Sequence, residues 1–448
     1  MFDLKSLMEN KYDYIVLGGG IAGLSAAYFL KKKGLNGILL EHSLSVGGVL
    51  KSEIIGDYQL DFGANSASLT PEFENLISDL NLNSELLTAE AVSNKRFLVS
   101  NNEFHAVEPN PIKILKSKLL TASAKLKLFT ESWRKNKPNN QDESVAQFVT
   151  RRFGKEILEK VFDPVLSGIY AGDVQRLSMQ QVMPSLVQWE KDFGSITKGV
   201  FKNAKGMKPR KIVNFKGGFS KLINALENNL KEEIYCNAST WKIEKADNTF
   251  EVTVKIGTEE NKVLHAKNII STIPSYALSR LIFNFDNDLG EQLYNIEYTP
   301  MHVLHIAFKK TDVPQLPQGF GFLVPSIENR KFLGAINQSL IFPEKAPRDV
   351  ALLTVFHKHS SVEEVIADLK SVLKTTAQPI FQEKYFWQHA LPQFNVGYKN
   401  ILDNAVAFEK NYPNFYIQGN WRTGVAVGNI ITNANELSEK IYSIIPRH

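Results

Sequence analysis

Cysteine is almost absent from this 448-residue chain: Cys236 stands alone, so no disulfide can form within it. That usage fits a reducing compartment. No C-x-x-C pair and no histidine cluster marks a structural metal, and His302, His305, His357 and His359 alternate along two expected strands without forming a ligand set. Residues 1–11 are polar and short and lack the apolar stretch of a secretory signal, so a cytoplasmic location is expected. Long apolar runs are also missing. The nearest approach, residues 14–30, is broken by three glycines and followed by Lys31-Lys32-Lys33, which argues against a span. Internal repeats and low-complexity tracts are lacking. The net charge of +5 is modest, but the positive charge is uneven. At this length two or three domains are expected.

What is present is concentrated near the start. Tyr14-Ile-Val-Leu-Gly18-Gly19-Gly20-Ile21-Ala22-Gly23 reads as a buried strand, a tight glycine turn and a helix start. Gly18 permits the turn, Gly20 lets the backbone approach a pyrophosphate, and Gly23 lets helix and strand pack closely. A second apolar strand from Gly37 to Leu40 delivers Glu41 where a carboxylate accepts from an adenosine ribose. Gly34 ends the intervening helix.

Three later segments favour FAD over a nicotinamide. Gly47-Gly48-Val49 lets the chain turn back across a cofactor, and Ser52 is placed to donate to a phosphate or ribityl oxygen. Asp61-Phe-Gly63-Ala64-Asn65-Ser66 is a small-residue segment suited to lie beside a flat ring. Near the far end, Gly419-Asn420-Trp421 to Gly428 combines a strand, a glycine-rich turn and a helix start around Val425-Ala426-Val427. A helix dipole there would stabilise an anionic reduced flavin ring.

The expected fold is α/β: a Rossmann-type FAD-binding domain with an inserted α+β substrate domain and a mainly helical domain suited to membrane association. The FAD-binding domain is expected to be discontinuous, from residues 12–94, 207–274 and 395–448. Residues 95–206 are read as the helical domain and residues 275–394 as the substrate domain, with strands near 301–308, 321–324, 332–336 and 351–356 and a helix at 362–373. The run from Ile112 to Lys137 carries eight Lys or Arg against Glu131 alone, with leucines 115, 119, 120, 126 and 128 interleaved. It fits an anionic membrane surface, a solvated face, or a rim attracting a polyanionic substrate. Peripheral attachment to the inner face of the cell membrane follows from the first. No nucleic-acid module accompanies the charge, and a homodimer stays open.

The segment Ser167-Gly168-Ile-Tyr-Ala-Gly-Asp173 followed by Leu177-Ser178, together with Gly194-Ser-Ile196, Phe215-Lys-Gly-Gly218, Gly319-Phe-Gly-Phe-Leu-Val-Pro325 and Gly419-Asn-Trp421 to Gly428, carries a resemblance. The chain resembles the oxygen-dependent protoporphyrinogen oxidases, within the amine-oxidase-like flavoproteins, over residues 12–435. The resemblance implies non-covalent FAD and removal of six electrons from protoporphyrinogen IX, with oxygen as acceptor and three hydrogen peroxides released. It implies Leu323, Ile336 and Phe356 as cleft walls with Phe320 nearby, Arg96 as partner of a substrate propionate, and Gly168 as a residue whose carbonyl faces a pyrrole N–H. Gly18 to Gly23, Glu41, Gly47, Gly48, Val49, Gly63, Ala64, Asn65, Ser66, Val425, Ala426 and Val427 match cofactor contacts, and Thr240 a backbone contact to adenine. Val49 and Asn429 depart from the commonest residues at their positions. Coproporphyrinogen III is the alternative substrate within the family. A flavin amine oxidase on the same fold is the other reading. Those enzymes place a lysine near the flavin, and Met301 to Phe308 contains none. The resemblance implies no acid or base, because a porphyrinogen's own pyrroles can stabilise positive charge.

Overall fold

The computed structural model describes residues 11–107, 119–133, 141–203 and 211–444. Its chemistry is organised by two seven-stranded sheets.

The first sheet is the nucleotide-type sheet. Lys11–Leu17 pairs in parallel with Gly37–Leu40 on one side and Lys262–Ser271 on the other. Tyr14, Ile15 and Val16 are wholly buried, as expected of a parallel strand covered on both faces. Ile21–Lys32 crosses over between the first two strands, and its Leu24, Ala27 and Leu30 are buried against the sheet. Ala238–Ala246 and Thr249–Ile256 extend the sheet antiparallel, and Phe415–Ile417 adds to the Lys262–Ser271 strand from the chain's far end. The C-terminal helix, Val427–Ile444, packs on the Ile21–Lys32 helix in one core. It opens at Val427, directly after the Val425-Ala426 turn.

The second sheet runs in the order Phe381–Pro392, Tyr298–Lys309, Val350–His357, Gly334–Asn337, Gly321–Leu323, Arg96–Ser100, Glu103–Val107. Helix Val362–Leu373 covers one face, with Val365, Leu369 and Val372 packed on Leu304, Ile306, Leu353 and Val355. The opposite face carries Leu98, Leu323, Ile336 and Phe356. Two differences from the sequence reading matter. The Arg96–Val107 hairpin, placed at the start of the helical region by sequence, pairs with Gly321–Leu323 and so belongs to this sheet. The long strand Phe381–Pro392 was not expected: it lies at the sheet edge, and its aromatics, Phe381 and the block Tyr385-Phe386-Trp387, do not alternate with its polar residues.

The helical layer, residues 119–133 and 141–203, stands over that opposite face, with Leu98 and Leu323 packed into its core. Within it Glu131 is fully buried and accepts hydrogen bonds from Ser195 Oγ at 2.7 Å and from the Ile196 and Thr197 N–H groups, beside the buried Arg152 guanidinium. Glu131 thus ties the Gly194-Ser195-Ile196 turn to the layer. It is a structural acid, not a solvated break in a basic run. Leu119 and Leu120 are likewise core residues. Leu115 and the basic residues at 113, 116, 118, 134, 135 and 137 lie outside the described residues.

Candidate active site

The cofactor cradle is assembled from backbone. Gly18 has φ +101°, a conformation that glycine adopts without strain, and the space a Cβ on Gly23 would need is filled by the Gly18 carbonyl at 1.9 Å. A Cβ on Gly20, by contrast, meets no atom within 4 Å, so this glycine faces open space at the start of the helix. The Gly47 N–H donates to the Gly19 carbonyl at 2.8 Å, which brings the Gly47-Gly48-Val49 segment onto the glycine turn. Gly63 lies directly against Val49, whose carbonyl is 1.7 Å from the site of a Gly63 Cβ. Val49 and Leu44 are exposed at this edge, and Ala426 is exposed immediately before the C-terminal helix. The predicted cofactor segments, distant in sequence, are therefore brought to one open edge.

Glu41 stands at the end of its strand. Its carboxylate accepts from the Gly19 N–H at 2.6 Å and the Ser43 N–H at 2.7 Å, leaving lone pairs on both oxygens. The Ala238 N–H donates to the Glu41 carbonyl, so the strand carrying Thr240 begins beside this acid. Two side chains point elsewhere than expected. Ser52 Oγ donates to Asp61 Oδ1 at 2.5 Å and is committed within the protein, because the Ser52–Ile55 and Tyr58–Asp61 hairpin places the two side by side. Asn65 is buried: its amide donates to the Gly63 carbonyl and its Oδ1 accepts from Gln338, so it offers backbone rather than side chain to a cofactor.

The cleft wall follows from strand register. Leu98 stands opposite Leu323, Leu323 opposite Gly334, and Gly334 opposite Phe356; one row along, Gly321 stands opposite Ile336 and Ile336 opposite Thr354. Side chains alternate across a sheet, so Arg96, Leu98, Leu323, Ile336, Thr354 and Phe356 share one face. Leu323, Ile336 and Phe356 are each only partly buried there. Phe320 lies just before its strand and, like Ile336, packs on the Leu87, Ile341 and Phe342 cluster. The Arg96 guanidinium sits 5.2 Å from the Phe320 ring centroid, and desolvation lowers its pKa although the residue is exposed. Helix Asp163–Tyr170 faces this wall. A Cβ on Gly168 would lie 2.5 Å from Leu323 Cδ2, so helix and wall approach at a glycine. Asp163 anchors the helix by accepting from the Ser326 N–H at 2.7 Å and Oγ at 3.0 Å.

Sequence reasoning missed a buried polar ring behind the wall. Lys345 Nζ, fully buried, donates to Asp61 Oδ2 at 2.5 Å and Gln338 Oε1 at 2.8 Å. Asn214 Nδ2 donates to Asp61 Oδ2 and to the Asn65 carbonyl, both at 2.8 Å. Gln338 Nε2 also donates to Thr354 Oγ1, which meets His305 Nδ1 at 3.1 Å. Burial pushes His305 down to about 4. Burial likewise lowers Lys345, against the pull of Asp61. A lone lysine in Phe342-Pro-Glu-Lys345-Ala-Pro carries no periodic signal, so only knowledge of Asp61 as its partner could have singled it out.

Residues 21–430 match the family model for flavin containing amine oxidoreductase. The chain belongs to that family. It is 29% identical to protoporphyrinogen oxidase 2 of Arabidopsis thaliana, over 96% of this chain and 94% of that one. It is 24% identical to coproporphyrinogen III oxidase of Bacillus subtilis (strain 168), over 95% and 97% of the two chains. Among solved structures, a protein of Exiguobacterium sp. 255-15 provisionally assigned as a protoporphyrinogen oxidase superposes with TM-score 0.78 at 20% identity, covering 97% of this chain and 99% of its own.

As a member of the flavin-containing amine oxidoreductases, this chain is an FAD-dependent oxidoreductase. The cradle fits that cofactor. The open space at Gly20 suits a pyrophosphate, the Ile21–Lys32 helix start supplies N–H groups, and Gly63 with Val49 forms a flat small-residue floor. Among the described residues no group of three or more His, Cys, Asp or Glu could hold a metal ion. No described helix is long and apolar enough to cross a membrane.

Proposed function

We propose that this enzyme oxidises protoporphyrinogen IX to protoporphyrin IX in haem biosynthesis, three oxygens becoming three hydrogen peroxides. The observation that carries this reading is the single sheet face on which Leu323, Ile336 and Phe356 form an apolar wall with Arg96 beside it. A porphyrinogen is a large apolar ring with anionic propionates and needs that combination. FAD, held against the Gly63 and Val49 floor, would supply the two-electron acceptor chemistry that the oxidation needs. The chain's part is placement. Arg96 pairs with a propionate by charge-assisted hydrogen bonds, the apolar wall and the Gly168 helix hold the ring, and the helical layer above keeps water out. The Gly168 carbonyl turns toward a pyrrole N–H. No side-chain base is required, since the pyrroles carry the positive charge left by hydride loss.

Coproporphyrinogen III is the second reading, favoured by likeness to the Bacillus subtilis enzyme named for it and by the basic stretches. An amine substrate fits less well: Met301, Val303 and His305, on the cleft side of their strand, include no lysine, and the buried Lys345 behind the wall is committed to Asp61 and Gln338. Aerobic turnover of both porphyrinogens, followed by porphyrin fluorescence and peroxide release, tests the proposal. Faster protoporphyrin formation with three peroxides per porphyrin supports it; no turnover of either above the enzyme-free rate overturns it.

An anionic membrane surface is the further partner we infer. Phe129 and Trp133 form an exposed edge-to-face pair at 5.6 Å beside exposed Leu126 and Lys127. Aromatic and basic residues together are what an interfacial site requires.

A further inference from the structure

Lys345 is a cation enclosed on all sides within a flavoprotein, and the proposed chemistry does not use it. Its surroundings explain its presence. Asp61 and Asn65 bracket the Phe62-Gly63-Ala64 floor of the cofactor site. Both brackets are gripped from the substrate sheet by one eight-residue stretch, Lys345 holding Asp61 and Gln338 holding Asn65. Lys345 and Gln338 also bond each other, and Asn214 closes the ring by donating to Asp61 and to the Asn65 carbonyl. Gln338 follows directly on the strand that presents Ile336, and it also bonds Thr354 on the cleft face. The ring thus fixes the register between cofactor floor and substrate wall.

Charge gives the ring a second effect. Asp61 already accepts from Ser52, Asn214 and the Phe219 N–H, but Lys345 is its fully buried cationic partner. Without Lys345 a carboxylate would stay buried and uncompensated two residues from Gly63, which is costly in itself. It would also oppose the negative charge a flavin gains on reduction.

We propose that Lys345 is a positioning residue that clamps the Asp61–Asn65 floor to the substrate wall and neutralises Asp61 beneath the reduced flavin. The proposal rests on FAD binding alone, so it can be tested without a porphyrinogen. The variants are Lys345→Arg, which keeps the cation, and Lys345→Met and Lys345→Gln, which remove it. FAD affinity is read by fluorescence and the flavin midpoint potential by anaerobic dithionite titration against reference dyes. Lys345→Arg should match the parent protein in both. The neutral variants should bind FAD roughly tenfold more weakly or worse. Their potential should fall by about 30 mV or more, the two-electron equivalent of a tenfold change. Parental affinity and potential in a neutral variant, even with a lowered melting temperature, would make Lys345 a mere strut and overturn the proposal. If neither neutral variant folds, Gln338→Ala decides. It releases the Asn65 side-chain oxygen while Asn214 stays on the Asn65 carbonyl and Lys345 on Asp61, so FAD affinity should fall roughly tenfold with the potential unmoved. Unchanged affinity there would also overturn the proposal.

Discussion

Single glycines separate cofactor binding from folding. The Gly20 Cβ position is open, so Gly20→Val should leave the far-ultraviolet circular dichroism unchanged while the protein purifies colourless. Gly23→Val should instead lose folded protein, because the Gly18 carbonyl stands 1.9 Å from its Cβ position. Equal FAD content in parent and Gly20→Val would remove the pyrophosphate from this turn. In the cleft, Gly168→Ala puts a methyl 2.5 Å from Leu323 Cδ2, and overpacking of this kind costs about 1–3 kcal/mol. Leu323 should yield into the cleft and raise KM for the porphyrinogen. Leu323→Ala in the same chain should relieve that increase, and a KM indifferent to the second change would mean the two residues do not share the substrate's space. Arg96→Ala should weaken porphyrinogen binding by about 1.5–3 kcal/mol with FAD content unchanged, the scale of a charged hydrogen bond. Substrate titration at parental flavin content measures it.

Strands Tyr298–Lys309 and Val350–His357 bury two neutral histidines, and this makes their pairing sensitive to acid. Burial holds His305 at about 4, and burial together with the neighbouring His302 holds His357 at about 4, both below the usual 6.5. Between pH 6.5 and 4 the unfolded chain therefore binds protons that the folded one refuses. Stability is complete above about 6.5 and falls as the pH drops toward 4, by roughly 1.4 kcal/mol per pH unit for each histidine. Urea unfolding across this window should show the slope, and His305→Asn should reduce it by about one proton; an unchanged slope would show that His305 is not buried neutral. These strands were among the most legible elements, since Met301 to Phe308 and Ala351 to Phe356 are apolar apart from His302, His305 and Thr354, and helix Val362–Leu373 falls where it was expected. The glycine turn and its following helix were equally plain. Register was not. Arg96 and Leu323 are 227 positions apart, and a parallel pairing between two short strands leaves no local trace in either. Partnership was also hidden. Ser52 and Asn65 have the chemistry to reach a cofactor, but the buried Asp61 and Gln338 claim them, which only the assembled fold reveals.

For the whole molecule, the segments proposed to contact FAD begin and end far apart in the chain, so FAD should act as a stabilising ligand: at a hundredfold excess over Kd it contributes about 2.7 kcal/mol. The outer surface poses a separate question. The basic stripe expected from sequence loses Leu119 and Leu120 to the helical core, and Glu131 with them. Among the described residues, Leu126, Phe129 and Trp133 stay outside, each more than half exposed, with Lys127 alongside. An aromatic pair inserts into a lipid interface through apolar area, which salt does not screen, whereas lysines act through charge, which it does. The two contributions can be separated in flotation with liposomes. Trp133→Ala with Phe129→Ala should reduce binding at every salt concentration. Lys125→Gln with Lys127→Gln should reduce it only at low salt and only on anionic lipid, by about 1 kcal/mol per charge. FAD content should be unaltered in both, because the patch lies outside every cofactor segment. If the intact protein floats with neither anionic nor neutral vesicles, the patch is not a membrane site.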